Sequence, residues 1–540
     1  MINVSTRMTK SLLAIHGCSA VFLGLLLYTV ILTGTLAVFE HELGVWANPP
    51  SQAGEAPLPS GIGARMKTLA ASVDPAYLDE VGVFPSSDGR LMAFFHTHVE
   101  AEQGREAVEE GTLILLEPAS LEELDRVTGS ADEVFRHFGN NALSNFLLDL
   151  HIRLLLPGQW GLWATGLLGF AMLVASVSGF VIHRHLIKDI FTLRRRRADV
   201  LAARDAHVIA GSWSLPFAFV LAFTGAFFSF GGAIGLPMLA AIAFGGDVET
   251  ALEVLQPEVG EDSSPAPLAD LDLILVSAAE RTGGEPQNMF VNHWGRADAL
   301  VTVRMSAEEG GLLPGAVLYK GATGEFFKTQ PNLGNEPSFG GDLAGLMSPL
   351  HFGNFAGTPS KIVWFALGFA SAYVALTGMV LWTRRRESEP GWDKLARATA
   401  WLGYGLPASL AAVAAGYFLL IDGVSGLGYS LLYVFLGGLL ATALLSFGAR
   451  SAEAANRLLL RLTGGIMLLL PLLRWLAAEG PGWGMALSSG LSWVFVMDLC
   501  FILGALACLR YKRPHSSPEE INIERTDEDK TVAERVADAA

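Results

Sequence analysis

The sequence has little charge and very little cysteine. Asp, Glu, Lys and Arg make up 17% of its 540 residues, whereas 51% of the residues are hydrophobic. A soluble protein of this length carries more charge, so the composition favours an integral membrane protein. The three cysteines, Cys18, Cys500 and Cys508, lie in or beside apolar runs. The acid-rich segments 41–150 and 231–350 hold no cysteine, which excludes domains stabilised by disulfide bonds there.

Several motifs of cofactor and nucleotide enzymes are also missing from the sequence. No Cys-x-x-Cys-His occurs, which excludes covalently attached c-type haem. No G-x-x-x-x-G-K-[ST] occurs, and no G-x-G-x-x-G follows a strand-like run and opens a helix. We therefore expect no ATP, flavin or NAD module within the chain, and no nucleic-acid partner.

Long apolar runs dominate what is present. At ~1.5 Å per residue, a helix of about 20 residues spans a ~30 Å hydrocarbon layer. We predict eight spans, at 15–39, 159–182, 208–230, 361–383, 398–421, 427–448, 458–477 and 485–509. Basic clusters such as Arg194 to Arg197 and Arg384 to Arg386 all fall on one side if the chain starts inside. The positive-inside rule then predicts two cytoplasmic termini and places the acid-rich segments 41–150 and 231–350 outside.

The first 385 residues contain an internal duplication. Spans 1 and 3 each hold a histidine followed 18 residues later by a glycine, and spans 2 and 4 each hold "LGFA" followed by a hydroxyl–glycine pair. The matched positions are His16 and Gly34, His207 and Gly225, Ser178 and Gly179, and Thr377 and Gly378. The chain therefore repeats the unit of helix, outer domain and helix. Spans 5 to 8 show no such repeat.

The predicted fold is a mainly α integral membrane protein with about eight transmembrane helices and two small α+β outer domains. Strand-like runs such as "RLMAFFHTHV" and "GAVLYK" indicate that each outer domain packs one helix on a short antiparallel sheet. The predicted parts are 1–40 (N-terminus and span 1), 41–150 (outer domain 1), 151–182 (span 2), 183–207 (cytoplasmic loop), 208–230 (span 3), 231–350 (outer domain 2), 351–386 (span 4), 387–511 (spans 5 to 8) and 512–540 (an acidic cytoplasmic tail).

Four histidines occupy equivalent places in the two repeats. His16 and His207 lie near the cytoplasmic ends of spans 1 and 3, and His151 and His351 precede spans 2 and 4 near the outer face. Two imidazoles on facing helices can hold a haem inside an apolar bundle. We therefore predict one haem near each face, with glycine making room for the macrocycle. Interfacial hydrogen bonding and a proton relay are the alternatives, but the relay needs acidic partners that the spans do not offer in suitable places.

Other histidines are weaker candidates. His183 is an alternative ligand for the inner site, and His41 either contacts an outer cofactor or caps a helix in solvent. His96 and His98 alternate along a strand at a spacing that suits a metal ion, but no cysteine or third histidine is nearby. We therefore expect no metal at that pair.

Four segments carry a resemblance to a known family. They are "IHGCSAVFLGLLLYTVILTGTLAVFEHEL", "FLLDLHIRLLLPGQWGLWATGLLGFAMLVASVSGFVI", "HVIAGSWSLPFAFVLAFTGAFFSF" and "PLHFGNFAGTPSKIVWFALGFASAYVALTGMVLW". Over about residues 10 to 386 the chain resembles the PepSY-associated transmembrane helix proteins of bacterial inner membranes, which include iron-regulated membrane proteins and siderophore-iron reductases. The outer domains would then be PepSY-like. "VIHRH" departs from the aromatic and proline residues usual at the end of span 2.

The resemblance implies a di-haem reductase of the bacterial inner membrane. The histidines of the family match His16, His151, His207 and His351, which would be the axial ligands of two b-type haems. Electrons would pass from an unidentified donor, either a quinol or a cytoplasmic reductase, to periplasmic ferric iron or a ferric siderophore. A non-redox siderophore transporter or permease accessory, and a PepSY-type binding or regulatory protein, are the alternative functions.

Overall fold

The computed structural model shows a mainly helical protein with a single β-sheet unit. It describes residues 5–50, 58–86, 88–99, 108–138, 142–182, 199–243, 245, 260–308, 311–334, 336–384, 386, 390–421, 427–477 and 481–511. The helices are α1 (Thr6–Ala37), α2 (Glu40–Ala47), α3 (Ile62–Ala70), α4 (Ala131–His137), α5 (Ala142–Arg153), α6 (Gln159–Ile182), α7 (Asp199–Phe230), α8 (Leu236–Ala243), α9 (Leu271–Thr282), α10 (Phe339–Phe352), α11 (Gly357–Arg384), α12 (Trp392–Ala400), α13 (Leu406–Leu420), α14 (Leu427–Gly448), α15 (Ala452–Ala477), α16 (Trp483–Ser488) and α17 (Ser492–Arg510).

Eight membrane-spanning helices are found within the described residues, as predicted. The first four spans are α1, α6, α7 and α11. The fifth joins α12 and α13 through a π-helical turn at Trp401–Gly405, and α14, α15 and α17 complete the set. Five of the eight spans begin earlier than predicted, the first and third by the largest margin, since α1 starts at Thr6 and α7 at Asp199, whereas the eighth begins later, at Ser492. His16 and His207 therefore lie well inside helices, and the predicted loop 183–207 is helical from Asp199 onward.

The outer strands form one sheet rather than two. The strands are β1 (Glu80–Pro85), β2 (Leu91–Val99), β3 (Val108–Leu116), β4 (Glu123–Ser130), β5 (Pro286–Asn292), β6 (Leu300–Met305), β7 (Gly315–Lys320) and β8 (Phe326–Gln330). They lie in the order β4-β3-β2-β1-β5-β6-β7-β8, and all neighbours are antiparallel. The two predicted halves exist, but β1 pairs with β5, with Val81 opposite Val291. This pairing removes two exposed edges, which sequence patterning alone does not reveal.

Helices α3 and α9 cover one face of this sheet and touch each other. Asp272 of α9 accepts hydrogen bonds from the backbone N–H groups of Gly63 and Ala64, at 2.9 and 2.8 Å. These N–H groups belong to the first turn of α3, where an anionic acceptor is favourable. A Cβ on Gly63 would lie 2.7 Å from Leu271 Cβ, so the glycine permits this close approach. The two repeats are thus joined through both their sheets and their helices.

Spans 5 to 8 pack against the first repeat through α1 and α2. The hydroxyl of Tyr28 donates to the carbonyl of Gly403 at 2.8 Å. The indole of Trp46, in α2, donates to Asp498 at 2.8 Å, and Asp498 also forms an ion pair with Arg474 at 2.8 Å. Asp498 is fully buried and Arg474 is 1% exposed. Because removing one partner would strand a buried charge, this cluster ties spans 7 and 8 to the rest of the bundle.

Candidate functional site

His16 of α1 and His207 of α7 form a pair on facing helices. Their ring centroids lie 6.5 Å apart, and the ring planes make an angle of 78°. His16 Nδ1 lies 3.1 Å from the carbonyl oxygen of Ala175 in α6. His207 Nδ1 lies 3.1 Å from the carbonyl oxygen of Val374 in α11. Each histidine thus binds the helix that follows it within its own repeat.

The surroundings of these two histidines are the same in both repeats. The Nδ1 atom of His16 lies 3.2 Å from the Ser178 hydroxyl, and that of His207 lies 3.2 Å from the Thr377 hydroxyl. A Cβ added at the next residue, a glycine in both helices, would lie 3.3 Å from the Cε1 atom of the corresponding histidine. The imidazoles therefore pack against the serine–glycine and threonine–glycine pairs that the sequence repeats.

His151 of α5 and His351 of α10 form a second pair. Their ring centroids lie 6.1 Å apart, and the ring planes make an angle of 31°. His151 Nδ1 lies 2.9 Å from the carbonyl oxygen of Val30, and His351 Nδ1 lies 2.8 Å from the hydroxyl of Thr224. Each partner lies in the first helix of the histidine's own repeat, and, as in the first pair, the two facing rings come from different repeats.

Glycines also leave space for the second pair. A Cβ on Gly34 would lie 2.5 Å from Cε1 of His151, and one on Gly225 would lie 3.3 Å from Cε1 of His351. Contacts of 2.5 Å are not tolerated, so an alanine at position 34 would displace the imidazole. The features that the duplication repeats, a histidine and a small residue in each repeat at each end, thus meet in space.

Sharp turns follow both histidines of the second pair. Leu154 and Leu155 have φ values of +52° and +58°, which ends α5 and turns the chain toward α6. In the second repeat, Gly353 takes φ +67° two residues after His351. Leucine pays an energetic penalty for this backbone conformation and glycine does not. The turns fix the position of each histidine at the mouth of the following span.

The hydrogen bonds assign the tautomers of the four imidazoles. A carbonyl oxygen only accepts, so Nδ1 of His16, His207 and His151 carries the hydrogen. The Thr224 hydroxyl donates to the carbonyl of Val220 at 2.8 Å, so it accepts from Nδ1 of His351. In each neutral ring the lone pair therefore lies on Nε2, the atom that can bind a metal. Such outer hydrogen bonds orient metal-binding histidines and raise their basicity.

The separation of the rings suits one metal ion within each pair. A metal–imidazole bond is about 2 Å long, and a ring centroid lies about 1 Å beyond its nitrogen, so two opposed ligands place their centroids about 6 Å apart. The two observed separations, 6.5 and 6.1 Å, agree with this distance. Each pair could therefore hold an iron between two Nε2 atoms.

Burial keeps the second pair in the neutral form that can bind metals. After the predicted topology we call His151 and His351 the outer pair, and His16 and His207 the inner pair. His151 and His351 lie outside the spanning helices, and loss of contact with water lowers the pKa of each imidazole. A lowered pKa keeps the ring neutral down to a lower pH than a free histidine, which is still partly protonated near neutral pH. Both rings are thus available as neutral ligands.

A large cavity surrounds the inner pair. It has a volume of about 1050 Å³ and is lined by His16 and His207 together with small residues of α1, α6, α7 and α11. That volume is at the upper end of the range typical of cofactor pockets. Two cationic side chains, Arg204 and Arg386, also line it. The cavity has the volume for a large flat ligand, and its two arginines could pair with carboxylates of such a ligand.

The two pairs lie at opposite ends of the same four helices. His16 and Gly34 are 18 residues apart in α1, and His207 and Gly225 are 18 residues apart in α7. At ~1.5 Å per residue this is about 27 Å, close to the thickness of the hydrocarbon layer. The inner pair is at the level of His16 and the outer pair is at the level of Gly34.

The remaining histidines of the sequence lie elsewhere. His183 falls outside the described residues, so its place relative to the inner pair is not defined. His137 pairs with Asp125 at 3.1 Å, and His293 lies 3.5 Å from Asp298, both in the sheet unit. Sequence patterning missed the backbone carbonyls that accept from the imidazoles, because any residue supplies such a group. It also missed Arg204 and Arg386, because arginines near a span end are expected as topological anchors.

Comparison with known proteins places the chain in a family. The family described as "PepSY-associated TM region" matches residues 13–385, which contain both histidine pairs and the whole sheet. An uncharacterized protein of Pseudomonas aeruginosa is 28% identical over 285 residues, which cover 50% of this chain and 70% of that relative. The matched family region covers well over half of the chain, so this protein belongs to the PepSY-associated TM region family.

Proposed function

We propose that the protein is a di-haem membrane reductase that passes electrons across a bacterial inner membrane to ferric iron or a ferric siderophore outside. The observation that carries the proposal is the pairing of four imidazoles, two at each end of one bundle, with centroid separations of 6.5 and 6.1 Å. Two non-covalent b-type haems are the proposed cofactors, since the sequence lacks the motif for covalent attachment.

Haem held between two imidazoles would supply reversible one-electron exchange between ferric and ferrous iron. The protein would contribute the four Nε2 ligands, the hydrogen bonds at Nδ1 and the apolar walls. The Nδ1 bonds raise the basicity of the ligands and favour ferric iron, whereas burial disfavours the additional charge. The small residues opposite each histidine, Gly34, Gly179, Gly225 and Gly378, would leave space beside the rings.

The direction of electron flow follows from the proposed topology. With both termini in the cytoplasm, the pair at His16 and His207 faces the donor side and the sheet unit lies outside. The donor would be a quinol or a cytoplasmic reductase. A ferric chelate is held by hard oxygen ligands, which bind ferrous iron more weakly, so adding one electron outside would loosen the iron. Such a reaction needs no nucleophile or general base.

Two other functions fit the structure less well. A proton relay would need titratable groups that link the two ends of the bundle. Of the carboxylates buried within the described spans, Asp498 is occupied by Arg474, Trp46 and Trp483, and Asp205 lies beside His207 at one end, so neither links the two histidine pairs. A non-redox transporter would share the eight spans and the internal repeat, yet it gives no reason for four imidazoles with matched Nδ1 partners. The experiments below separate these functions.

Removing a ligand should remove one haem. The wild-type protein, purified in detergent, should contain two b-type haems per chain by the pyridine haemochrome assay. His16→Ala and His207→Ala should each lose the inner haem, and His151→Ala and His351→Ala should each lose the outer one, because a single imidazole leaves the iron weakly held. His137→Ala, which removes an exposed histidine of the sheet unit, should retain both haems. Haem-free protein from haem-sufficient cells would rule out the proposal.

A methyl group at Gly34 should selectively disturb the outer site. Its Cβ would collide with His151, whereas a Cβ at Gly437 would meet no atom within 4 Å. Gly34→Ala is expected to lose or distort one haem, and Gly437→Ala should keep two with an unchanged spectrum. Both substitutions favour helix by about 1 kcal/mol, so helix propensity cannot explain a difference between them. Equal spectra for the two variants would contradict the assigned position of the outer pair.

Reduced protein should deliver electrons to an external ferric chelate. In proteoliposomes, haem reduced by a limiting amount of dithionite should be reoxidised when a ferric hydroxamate is added, with one ferrous ion trapped by ferrozine per haem oxidised. The gallium(III) hydroxamate has the same shape and charge but accepts no electron, so it should leave the haem reduced. Uptake of the gallium chelate without any redox change would instead favour the transporter.

A further inference from the structure

A cluster of two histidines and one carboxylate lies on the outer sheet, far in sequence from the four helix histidines. Glu80 lies on β1, and His96 and His98 lie on β2. Glu80 is directly opposite His96 in the antiparallel register. Opposed residues and residues two apart point to the same side of a sheet, so all three side chains share one face. The sequence showed the two histidines but not Glu80, which strand pairing brings to them.

The distances within the cluster are those of ligands around one small ion. His96 Nε2 lies 3.3 Å from one carboxylate oxygen of Glu80, and His98 Nε2 lies 3.6 Å from the other. The ligand atoms of all three residues lie within 4.8 Å of one another. Ligands about 2 Å from a tetrahedral ion are about 3.3 Å apart, so ligand atoms that all lie within 4.8 Å of one another need to approach by at most about 1.5 Å to share one ion.

The surrounding residues hold the cluster in place. The ring of His96 stacks on Phe94 with centroids 4.3 Å apart and planes 7° apart, which fixes its orientation. Gly111 lies opposite His96 on β3, and a Cβ there would collide with the backbone of β2 and lie 2.6 Å from Cβ of His96. The absence of a side chain at Gly111 therefore leaves space for His96.

The cluster is accessible and negatively charged. The side chain of His96 is 12% exposed, that of Glu80 is 37% exposed and that of His98 is 48% exposed, so one ligand is fixed and the other two face solvent. The Glu80 carboxylate, 3.3 Å from His96 Nε2, supplies the negative charge of the cluster. Glu109 lies opposite His98 on β3 and adds a second negative charge on the same face.

We propose that Glu80, His96 and His98 bind a divalent first-row transition-metal ion of the Zn²⁺ and Fe²⁺ class on the outer sheet. Two imidazoles and one carboxylate suit these ions, and three protein ligands leave open coordination positions for water or for an oxygen-bearing ligand. Hard cations such as Mg²⁺ are disfavoured, because they prefer oxygen ligands. The site needs neither haem nor electron transfer, so it stands or falls separately from the proposed reductase.

The test uses the full-length protein in detergent and zinc as the probe. After removal of bound metals with a chelator, the protein is equilibrated with Zn²⁺ by dialysis, and zinc is counted by mass spectrometry separately from haem iron. One zinc per chain is expected. Glu80→Gln, which preserves side-chain shape, and His96→Ala should each weaken zinc binding by about tenfold or more. His137→Ala, at a His–Asp pair that lacks a third ligand, should bind zinc like the wild type.

The outcomes separate the site from the fold and from the haems. Glu80→Gln and His96→Ala are expected to keep the wild-type haem content and melting temperature, since the cluster lies outside the bundle. Failure of the wild type to bind zinc stoichiometrically, or wild-type affinity in Glu80→Gln, would overturn the proposal. Zinc binding in a protein that carries no haem would sustain the metal site and reject the reductase.

Discussion

The positions of the four histidines in the bundle depend on close contact between each imidazole and a neighbouring helix. In three of the four cases the accepting carbonyl lies four residues before a glycine: Val30 before Gly34, Ala175 before Gly179, and Val374 before Gly378. Residues four apart lie on the same helix face. A side chain there would block the approach, so the glycine opens a path to the carbonyl. His351 differs because it uses the Thr224 hydroxyl beside Gly225.

This contact explains why the same pattern occurs in both repeats. In the proposed function each imidazole must contact a specific neighbouring helix, must offer Nε2 to a metal, and must face a partner from the other repeat. One repeat supplies one histidine at each end, so a pair requires two copies. The sheet reinforces this arrangement, because β1 pairs with β5 and Asp272 binds the first turn of α3. The outer unit thereby fixes the two repeats relative to each other above the bundle.

Spans 5 to 8 belong to the same structure rather than to an appended unit. Helix α2, which directly follows the first span, contacts both parts. Its Glu42 accepts from Lys361 of α11 at 2.7 Å, and its Trp46 donates to Asp498 of α17 at 2.8 Å. The extension is therefore linked through α2 to the end of α1, close to the level of the outer histidines. This connection gives spans 5 to 8 a physical route to influence that site.

The eight spans and the pairing of the repeats could be predicted from sequence because apolar length and duplicated spacing are local signals. The first and third spans start earlier than the sequence predicts, since Thr6 and Asp199 begin polar turns that resemble loops. The single sheet was missed because β1–β5 pairing is a contact between distant segments. The neighbour of His96 in the proposed metal site was missed for the same reason, since Glu80 comes beside it only through strand register.

Electron paramagnetic resonance of the oxidised protein tests the central claim, that each end of the bundle holds one iron between two imidazoles. The ring planes are nearly perpendicular in the inner pair, at 78°, and closer to parallel in the outer pair, at 31°. Ferric haem between perpendicular imidazoles gives a highly anisotropic low-spin signal, whereas near-parallel rings give a rhombic low-spin signal. We predict both signals in equal amounts, with His16→Ala losing the first and His151→Ala the second. High-spin haem at either site of the wild type, or no haem signal, would contradict the account.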